Sequence, residues 1–260
     1  MLFNSWEFLL LFLPTFFISY WILFKKNRIA QNVLILVFSY IFYSYWNYKF
    51  LLLIVFSSLL DFFLAKKIVK SSHEAKRRNL LIVSIAGNIG VLGYFKYMNF
   101  FIDNLNFVLT KFGISISQID LNIILPVGIS FYTFQTLSYT IDVYRRKIPA
   151  EQNLLNFLCY VSFFPQLVAG PIERAKKMLP QFALPREFSY TSASLGIKRI
   201  IWGLFIKVYI ASILGNFVNL MHAAPQDQSA VLLFFGMLFF VVQLYCDFSG
   251  YEAYFENQFS

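Results

Sequence analysis

The sequence predicts an all-α protein, a polytopic bundle of transmembrane helices. Of its 260 residues, 58% are hydrophobic, 20% are aromatic and only 13% are charged, whereas soluble domains are close to one quarter charged. The mean hydropathy is +0.62. The hydrophobic residues also form blocks of roughly 20 residues, the length that crosses a bilayer. Too little polar surface is left to cover a soluble fold of this composition.

About seven blocks are predicted to span the membrane. They cover residues 6–24, 32–46, 50–65, 80–98, 126–144, 197–221 and 230–245. The first block has no preceding basic region and no small-residue cleavage site, so it is predicted to be a true span rather than a signal peptide. Residues 99–125 are amphipathic and too polar to span, so they are predicted to be an interfacial segment lying against the bundle.

Residues 153–172 are predicted to form a re-entrant element. This segment is long enough to cross a bilayer, but Pro165, Gly170 and Pro171 interrupt its second half. Broken backbone at membrane depth is tolerated only where protein or a water-filled cavity satisfies its polar groups.

The distribution of basic residues supports the same topology. If the N-terminus lies outside and residues 153–172 return to the side they entered, most of the 22 Lys and Arg residues lie inside, as the positive-inside rule requires. The predicted inside residues are Lys25, Lys26, Arg28, Lys66, Lys67, Lys70, Lys76, Arg77, Arg78, Arg145, Arg146, Lys147, Arg174, Lys176, Lys177, Arg186, Lys198 and Arg199. We therefore expect a multi-pass protein of the bacterial inner membrane, with an outside N-terminus.

The net charge of +9 is explained by this topology, so nucleic acid is not expected as a partner. Cys159 and Cys246 both lie in apolar blocks, a placement that indicates neither a disulfide framework nor a metal site. No Cys/His spacing is typical of zinc, and no metal is predicted.

Acidic residues in the apolar blocks are candidates for function, because polar groups are costly in a bilayer. Asp61 and Asp142 are each followed by basic residues, so both are interpreted as carboxylates at helix ends near the cytoplasmic surface. Glu7 is interpreted as a residue that suits the positive end of a helix dipole.

Asn88 has the small neighbours Gly87, Gly90 and Gly93. Small residues let membrane helices approach closely, and polar side chains bond across them. Helix packing is therefore the favoured role for Asn88.

No catalytic residue can be assigned from the residues alone. His73 lies in a charged loop and His222 follows the end of a block, so both are interpreted as surface residues. The sequence has no GxSxG elbow, no Gly-rich phosphate loop and no HExxH motif.

Two stretches indicate a polar interior and an anion site. In residues 126–147, Tyr132, Gln135, Ser138 and Asp142 are spaced by three and four, which predicts a polar stripe on one helix face. Residues 162–177 combine a broken apolar segment with a basic exit. A helix start followed by cations is a plausible site for a nucleotide phosphate.

These stretches resemble the membrane-bound O-acyltransferase family, in particular its bacterial alginate O-acetyltransferase and teichoic acid D-alanyl transferase branch. Four segments carry the resemblance: MLFNSWEFLLLFLP, PVGISFYTFQTLSYTIDVYRRK, SFFPQLVAGPIERAKKMLPQF and QLYCDFSGY. The resemblance covers residues 1–251 as the N-terminal part of one transmembrane domain, and residues 252–260 form a divergent tail.

The resemblance implies an enzyme that moves an acyl group, expected to be acetyl, from a cytosolic thioester through a tunnel in the bundle. The implied donor is acetyl-CoA or an acyl carrier protein, with no bound cofactor. The implied acceptor is a cell-envelope polysaccharide hydroxyl or an acyltransferase partner outside the membrane. Arg174, Lys176 and Lys177 would form the donor entrance. The tunnel wall would include Tyr132, Gln135, Gln166 and Asp247, with interhelical packing as the alternative role for each.

The sequence also departs from the family. Relatives continue beyond QLYCDFSGY with more helices and a catalytic histidine that acts as general base, and neither His73 nor His222 aligns with it. The resemblance therefore implies the front part of an acyltransferase, produced by truncation, frameshift or design, and inactive alone. A transporter, a flippase or a structural membrane subunit is the alternative, because transporters also use broken helices.

Overall fold

The fold is known from a computed structural model that describes residues 3, 5–112, 123–169, 173–223, 226 and 228–255, with only the backbone described for residues 168, 169 and 251–255. The described elements are helical, which confirms the predicted all-α class. The α-helices are α1 (Leu13–Ile18), α2 (Arg28–Asn47), α3 (Leu51–Lys70), α4 (Glu74–Lys111), α5 (Ile129–Tyr144), α6 (Leu154–Ser162), α7 (Phe164–Ala169), α8 (Ala175–Ala183), α9 (Tyr190–Leu204), α10 (Ser212–Ala223) and α11 (Ala230–Phe255).

Shorter helical segments extend or join these elements. A 3₁₀ turn, Tyr48–Phe50, joins α2 to α3. Segments of π-helix flank α1 at Glu7–Phe12 and Ser19–Leu23. Another, Phe205–Ala211, joins α9 to α10.

The chain forms two compact units. The central unit comprises Arg28–Val168 and Ile172–Leu184, and the terminal unit comprises Met1–Asn27, Ala169–Pro171 and Pro185–Ser260. The predicted boundary after residue 251 falls within α11, which runs to Phe255. Residues 256–260 of the predicted tail lie outside the described residues.

In the central unit, α2 and α3 run antiparallel. Asn32, near the start of α2, bonds Asn156 of α6. Phe62, in the second half of α3, packs on Phe157 of the same helix with ring centroids 5.7 Å apart. The start of α2 and the later part of α3 therefore lie at the same level of the bundle.

Helix α4 reverses direction again. Phe50 at the start of α3 packs against Phe95 in α4 with ring centroids 6.0 Å apart. At the other end, Arg77 in the first turn of α4 donates a hydrogen bond of 2.5 Å to the carbonyl oxygen of Tyr144 at the end of α5. The helices α2 to α5 thus form an up-and-down bundle, in which each connection links neighbours.

Four helical runs are long and apolar enough to cross a membrane: Arg28–Lys70, Glu74–Lys111, Tyr190–Ala223 and Ala230–Gly250. These runs identify a multi-pass membrane protein. The predicted number of about seven spans is not established by them. The first run contains both α2 and α3, whereas α5 has only 16 residues and Glu7–Leu23 is a shorter apolar helix.

The predicted break after Met98 was wrong, because α4 continues to Lys111. Its 38 residues extend over about 57 Å at 1.5 Å per residue, nearly twice the thickness of a bilayer's hydrocarbon core. Polar side chains in its last turns bond within the helix: Asn104 donates to the carbonyl oxygen of Phe100 at 2.7 Å, and Thr110 to that of Asn106 at 2.8 Å. Residues 113–122 of the predicted interfacial segment lie outside the described residues.

In the terminal unit, α11 runs antiparallel to the continuous helix formed by α9, Phe205–Ala211 and α10. Phe217 packs against Phe239 with ring centroids 5.1 Å apart. Towards the other end of the pair, a Cβ atom on Gly250 would lie 3.0 Å from the carbonyl oxygen of Gly203. Glycine at position 250 therefore allows the two backbones to approach closely.

Candidate functional site

The segment from α6 to α8 leaves and returns to the same end of α2. The side-chain nitrogen Nδ2 of Asn32 donates to Oδ1 of Asn156 at 3.0 Å and to the carbonyl oxygen of Phe182 at 2.9 Å. Asn156 lies in the first turn of α6, and Phe182 lies near the end of α8. Arg28 also bonds the carbonyl oxygen of Ala183. One end of α2 therefore fixes both ends of this segment, which we call the α6–α8 excursion.

The helical conformation is interrupted at Phe163, between α6 and α7. Phe163 adopts φ −57° and ψ 110°, so the backbone N–H of Phe164 has no helical partner. The hydroxyl of Ser39 on α2 accepts from this N–H at 3.0 Å. A protein side chain thus satisfies the group freed by the break, as a broken segment at membrane depth requires.

Gly128 holds the start of α5 against α7. Its φ of 75° is left-handed, a conformation that glycine adopts readily and other residues avoid. A Cβ atom at this position would lie 2.2 Å from the carbonyl oxygen of Leu167. The close approach of these two backbones therefore needs glycine.

Two residues of the predicted polar stripe face the interior of the central unit. Gln135 is 5% exposed, and its Nε2 donates to the carbonyl oxygen of Tyr160 at 2.9 Å. Tyr132 is 1% exposed, and its hydroxyl has no hydrogen-bond partner in the described structure. Ser138 and Asp142 are only half-buried. The stripe is therefore buried in its first half and borders the surface in its second.

A second polar atom without a partner lies on α7. The side-chain oxygen Oε1 of Gln166 is buried and has no hydrogen-bond partner among the described residues. Buried polar atoms are nearly always bonded. The free acceptor of Gln166 and the free hydroxyl of Tyr132 therefore mark α5 and α7 as places where a polar ligand or water could bind.

The three residues of the predicted donor entrance lie at the start of α8 and are exposed. Arg174 is the N-terminal cap residue and makes no side-chain capping bond. Lys176 is exposed, and Lys177 forms an ion pair with Glu173 at 3.5 Å. The opposite face of α8 is buried through Ala175, Met178, Leu179 and Phe182. Uncapped N–H groups beside exposed cations can bind an anion.

Asp247 belongs to the terminal unit. Its Oδ1 accepts from Nζ of Lys207 at 2.8 Å, an ion pair between α11 and the segment Phe205–Ala211. This contact matches the alternative role of interhelical packing.

The structure places Asp61 differently from the sequence-based interpretation, which was wrong. Asp61 lies in the middle of α3 with 0% exposure, rather than at a helix end near the surface. Its Oδ2 accepts from Nδ2 of Asn88 at 2.8 Å, and its Oδ1 accepts from the hydroxyl of Ser84. Asn88 in turn accepts from the hydroxyl of Ser57 at 2.5 Å. The packing role expected for Asn88 is confirmed by these bonds.

One sequence signal could have found this network. Ser57 and Asp61 are four residues apart on α3, and Ser84 and Asn88 are four apart on α4. Residues at this spacing share one helix face, so the two pairs could be expected to meet. The glycines beside Asn88 contribute less than expected. Gly87 packs against Leu60, but a Cβ on Gly90 or Gly93 would meet nothing within 4 Å.

Both histidines lie at the surface, as expected. His73 is exposed at the N-terminal cap of α4. His222 is exposed near the end of α10, with Nδ1 2.8 Å from the carbonyl oxygen of Val218. Among the described residues, no group of three or more His, Cys, Asp or Glu could hold a metal ion.

Comparison with known proteins shows that the chain is similar in sequence to bacterial O-acetyltransferases. No family model matches it. It is 39% identical over 254 residues to a probable alginate O-acetylase of Pseudomonas putida, covering 97% of this chain and 51% of that protein. It is 32% identical over 279 residues to a peptidoglycan O-acetyltransferase of Helicobacter pylori, covering 96% of this chain and 52% of that protein.

A more distant relative is a teichoic acid D-alanyltransferase of Streptococcus thermophilus. It is 27% identical over 134 residues, covering 49% of this chain and 32% of that protein. The chain spans about half the length of the curated alginate and peptidoglycan relatives that it matches. Over that half, the similarity runs along nearly the whole length of this chain, which confirms the expected resemblance to the membrane-bound O-acyltransferase family.

Proposed function

We propose that this chain forms the donor-binding part of a membrane O-acyltransferase. The enzyme transfers an acyl group, here taken as acetyl, from a cytosolic thioester to a hydroxyl of a cell-envelope polysaccharide. The observation that carries this proposal is the excursion fixed by Asn32, which presents Arg174, Lys176 and Lys177 at the start of α8. The relatives are named for O-acetylation of alginate or peptidoglycan.

The chemistry of the donor suits this position. Acetyl-CoA and the phosphopantetheine of an acyl carrier protein both carry phosphate. Phosphate groups bind at helix N-termini, and cationic side chains nearby strengthen this binding. The free polar atoms of Tyr132 and Gln166 would contact the thioester arm deeper in the central unit, and Gln135 would shape the same wall.

The proposed topology makes residues 153–172 re-entrant, with the start of α8 in the cytoplasm and the N-terminus outside the inner membrane. Since Asn32 bonds both α6 and the end of α8, the segment need not cross the bilayer. Cysteines introduced at Gln226 and at Lys176 test the topology with an impermeant thiol reagent in intact cells. Labelling of the first and protection of the second is expected, and the reverse pattern would overturn the topology. The native Cys159 and Cys246 are buried.

Donor binding is tested by measuring acetyl-CoA affinity of the purified chain in nanodiscs. The triple variant R174Q/K176Q/K177Q is expected to bind about tenfold more weakly or worse, because one charge-assisted hydrogen bond contributes about 1.5 kcal/mol. The matched control is R145Q/R146Q/K147Q, which neutralises an equally basic and exposed run after α5. Equal losses in both variants, or no binding by the unmodified chain, would contradict the proposed site.

The proposed enzyme draws its general base from neither histidine of this sequence. His73 is an exposed cap residue, and His222 is exposed with its ring held by a backbone carbonyl. We therefore expect the 260-residue chain to bind donor without transferring its acyl group. Release of CoA with acylation of an added polysaccharide by the purified chain would disprove this part of the proposal. An envelope polysaccharide, or an acyltransferase partner outside the membrane, is proposed as the next acceptor.

A further inference from the structure

We propose that Asp61 binds a proton and is held as a neutral carboxylic acid in the folded protein. This inference does not rest on the proposed function. Asp61 is completely buried between α3, α4 and α5. Its hydrogen-bonding neighbours Ser84 and Asn88 are uncharged. An isolated carboxylate in such surroundings would cost several kcal/mol, so a buried acid is paired with a cation or neutralised.

No cationic side chain neutralises Asp61 within the part of the chain that the structure describes. The ion pairs found there join other residues. Ionisable side chains on the packed helices make contacts other than one with Asp61. Lys66 lies over the ring of Phe62, and Arg77 bonds Glu74. The hydroxyl of Tyr139 accepts from the N–H of Glu151. Asp142, two residues beyond Thr140 on α5, adds negative charge rather than positive charge.

The surrounding hydroxyls supply an acceptor for the proton. Thr140 is 0% exposed, and its hydroxyl has no hydrogen-bond partner of good geometry in the described structure, although it lies close enough to interact with the Asp61 carboxyl. A protonated carboxyl has one O–H donor. The Thr140 hydroxyl can accept a hydrogen bond as well as donate one, so it offers an acceptor for the proton of a neutral Asp61.

A sodium ion is the competing occupant, since hydroxyl and carboxylate oxygens also bind hard cations. The bonds already made to Asp61 favour the proton. Asn88 directs an N–H group, and Ser84 an O–H group, at the two carboxyl oxygens. Donors in these positions would face a metal ion with their positive ends.

The test compares D61N and D61A by infrared spectroscopy and thermal unfolding in detergent. The unmodified protein at neutral pH should show the carbonyl stretch of a protonated carboxylic acid, and D61N should lose it. The matched control is D247N, whose parent carboxylate is ion-paired with Lys207 and should contribute no such band. D61N should fold and melt within a few degrees of the unmodified protein, while D61A should melt at least about 5 °C lower, as expected when buried partners are left unpaired.

The pH dependence has a definite sign. The folded state keeps a proton that the unfolded chain releases above about pH 4, so stability from this group falls as the pH rises. The melting temperature of the unmodified protein should therefore fall relative to that of D61N when both are measured from about pH 6 to about pH 9. Absence of the band, failure of D61N to fold, or a melting temperature raised by sodium but not by choline in an Asp61-dependent way would overturn the proposal.

Discussion

Asn32 on α2 and Asn156 on α6 bond each other at 3.0 Å in the buried interior of the central unit. The same Asn32 nitrogen also reaches the carbonyl oxygen of Phe182. An amide group has two N–H donors, and here both are used to join segments that are distant in sequence. This bond pair holds the entry and the exit of the α6–α8 excursion together.

Replacing Asn32 with Ala should destabilise the protein by about 1–3 kcal/mol. The reason is that two buried acceptors lose their donor and remain desolvated. Thermal unfolding in detergent measures the change. The control is Asn104→Ala, because Asn104 is exposed and bonds the carbonyl oxygen of Phe100 in its own helix. Equal stability of the two variants would show that Asn32 does not hold the excursion.

Gly128→Ala should be more damaging, with a loss of about 3 kcal/mol or more. The added Cβ would lie 2.2 Å from the carbonyl oxygen of Leu167, and the left-handed backbone would add about 1 kcal/mol of strain. Backbone shifts that relieve such overpacking cost a further 1–3 kcal/mol or so. The yield of folded protein by size-exclusion chromatography and its melting temperature measure the effect.

The matched control for Gly128 is Gly90→Ala. Gly90 lies inside α4 with nothing within 4 Å of an added Cβ, so the substitution should stabilise the helix by about 0.5–1 kcal/mol. A tolerated alanine at position 128 would mean that α5 and α7 do not pack as closely as the structure shows.

Patterns local in the sequence predict the fold class of this protein, but they do not predict which side chains contact each other between helices. The apolar blocks gave the positions of α2, α3 and α11 because the length of an apolar run depends on the chain alone. Lys66 and Lys67, which follow Asp61 in sequence, predict a surface position for it. Its true environment depends on Ser84 and Asn88, which another helix supplies.

At α4 the polar residues predict a helix end that the structure does not have. The Asn and Thr residues after Met98 suggested a change of element. Asn104 and Thr110 instead bond carbonyl oxygens one turn earlier in the same helix, and Asn99 bonds the backbone of Ile123. The helix therefore continues past Met98. Arg174, Lys176 and Lys177 lie at the start of a helix, as expected, because the proline just before them in sequence marks such a boundary locally. The free polar atoms on Tyr132 and Gln166 could not be predicted, since they depend on packing between α5 and α7.

Arg146→Gly should stabilise the end of α5 by about 0.5–1 kcal/mol. Arg146 has a φ of 58°, and the N–H groups of Arg146 and Lys147 bond the carbonyl oxygens of Val143 and Asp142 at 3.0 and 2.9 Å. This is the Schellman arrangement, in which glycine is preferred at the left-handed position. The free energy of unfolding, measured with a denaturing detergent, should rise for Arg146→Gly. It should fall for Arg145→Gly, whose parent residue has an ordinary φ of −74°.

The ion pair between Lys207 and Asp247 gives a prediction for the terminal unit. Asp247→Asn leaves Lys207 beside a neutral group on an apolar helix pair, so it should destabilise the protein. Lys207→Met should do the same. A double-mutant cycle isolates the interaction. Because the side chains are 20% and 39% exposed, we expect a coupling free energy of only about 1 kcal/mol, at the upper end for solvent-exposed pairs.

The environment of this pair decides the outcome of that cycle. If lipid or protein covers the exposed part of the side chains, the coupling should exceed this value in nanodiscs and fall towards it in a small detergent. Addition of salt should weaken the coupling only where water reaches the pair. Additive single variants in both environments would show that the 2.8 Å contact contributes nothing to holding α11 against the segment Phe205–Ala211.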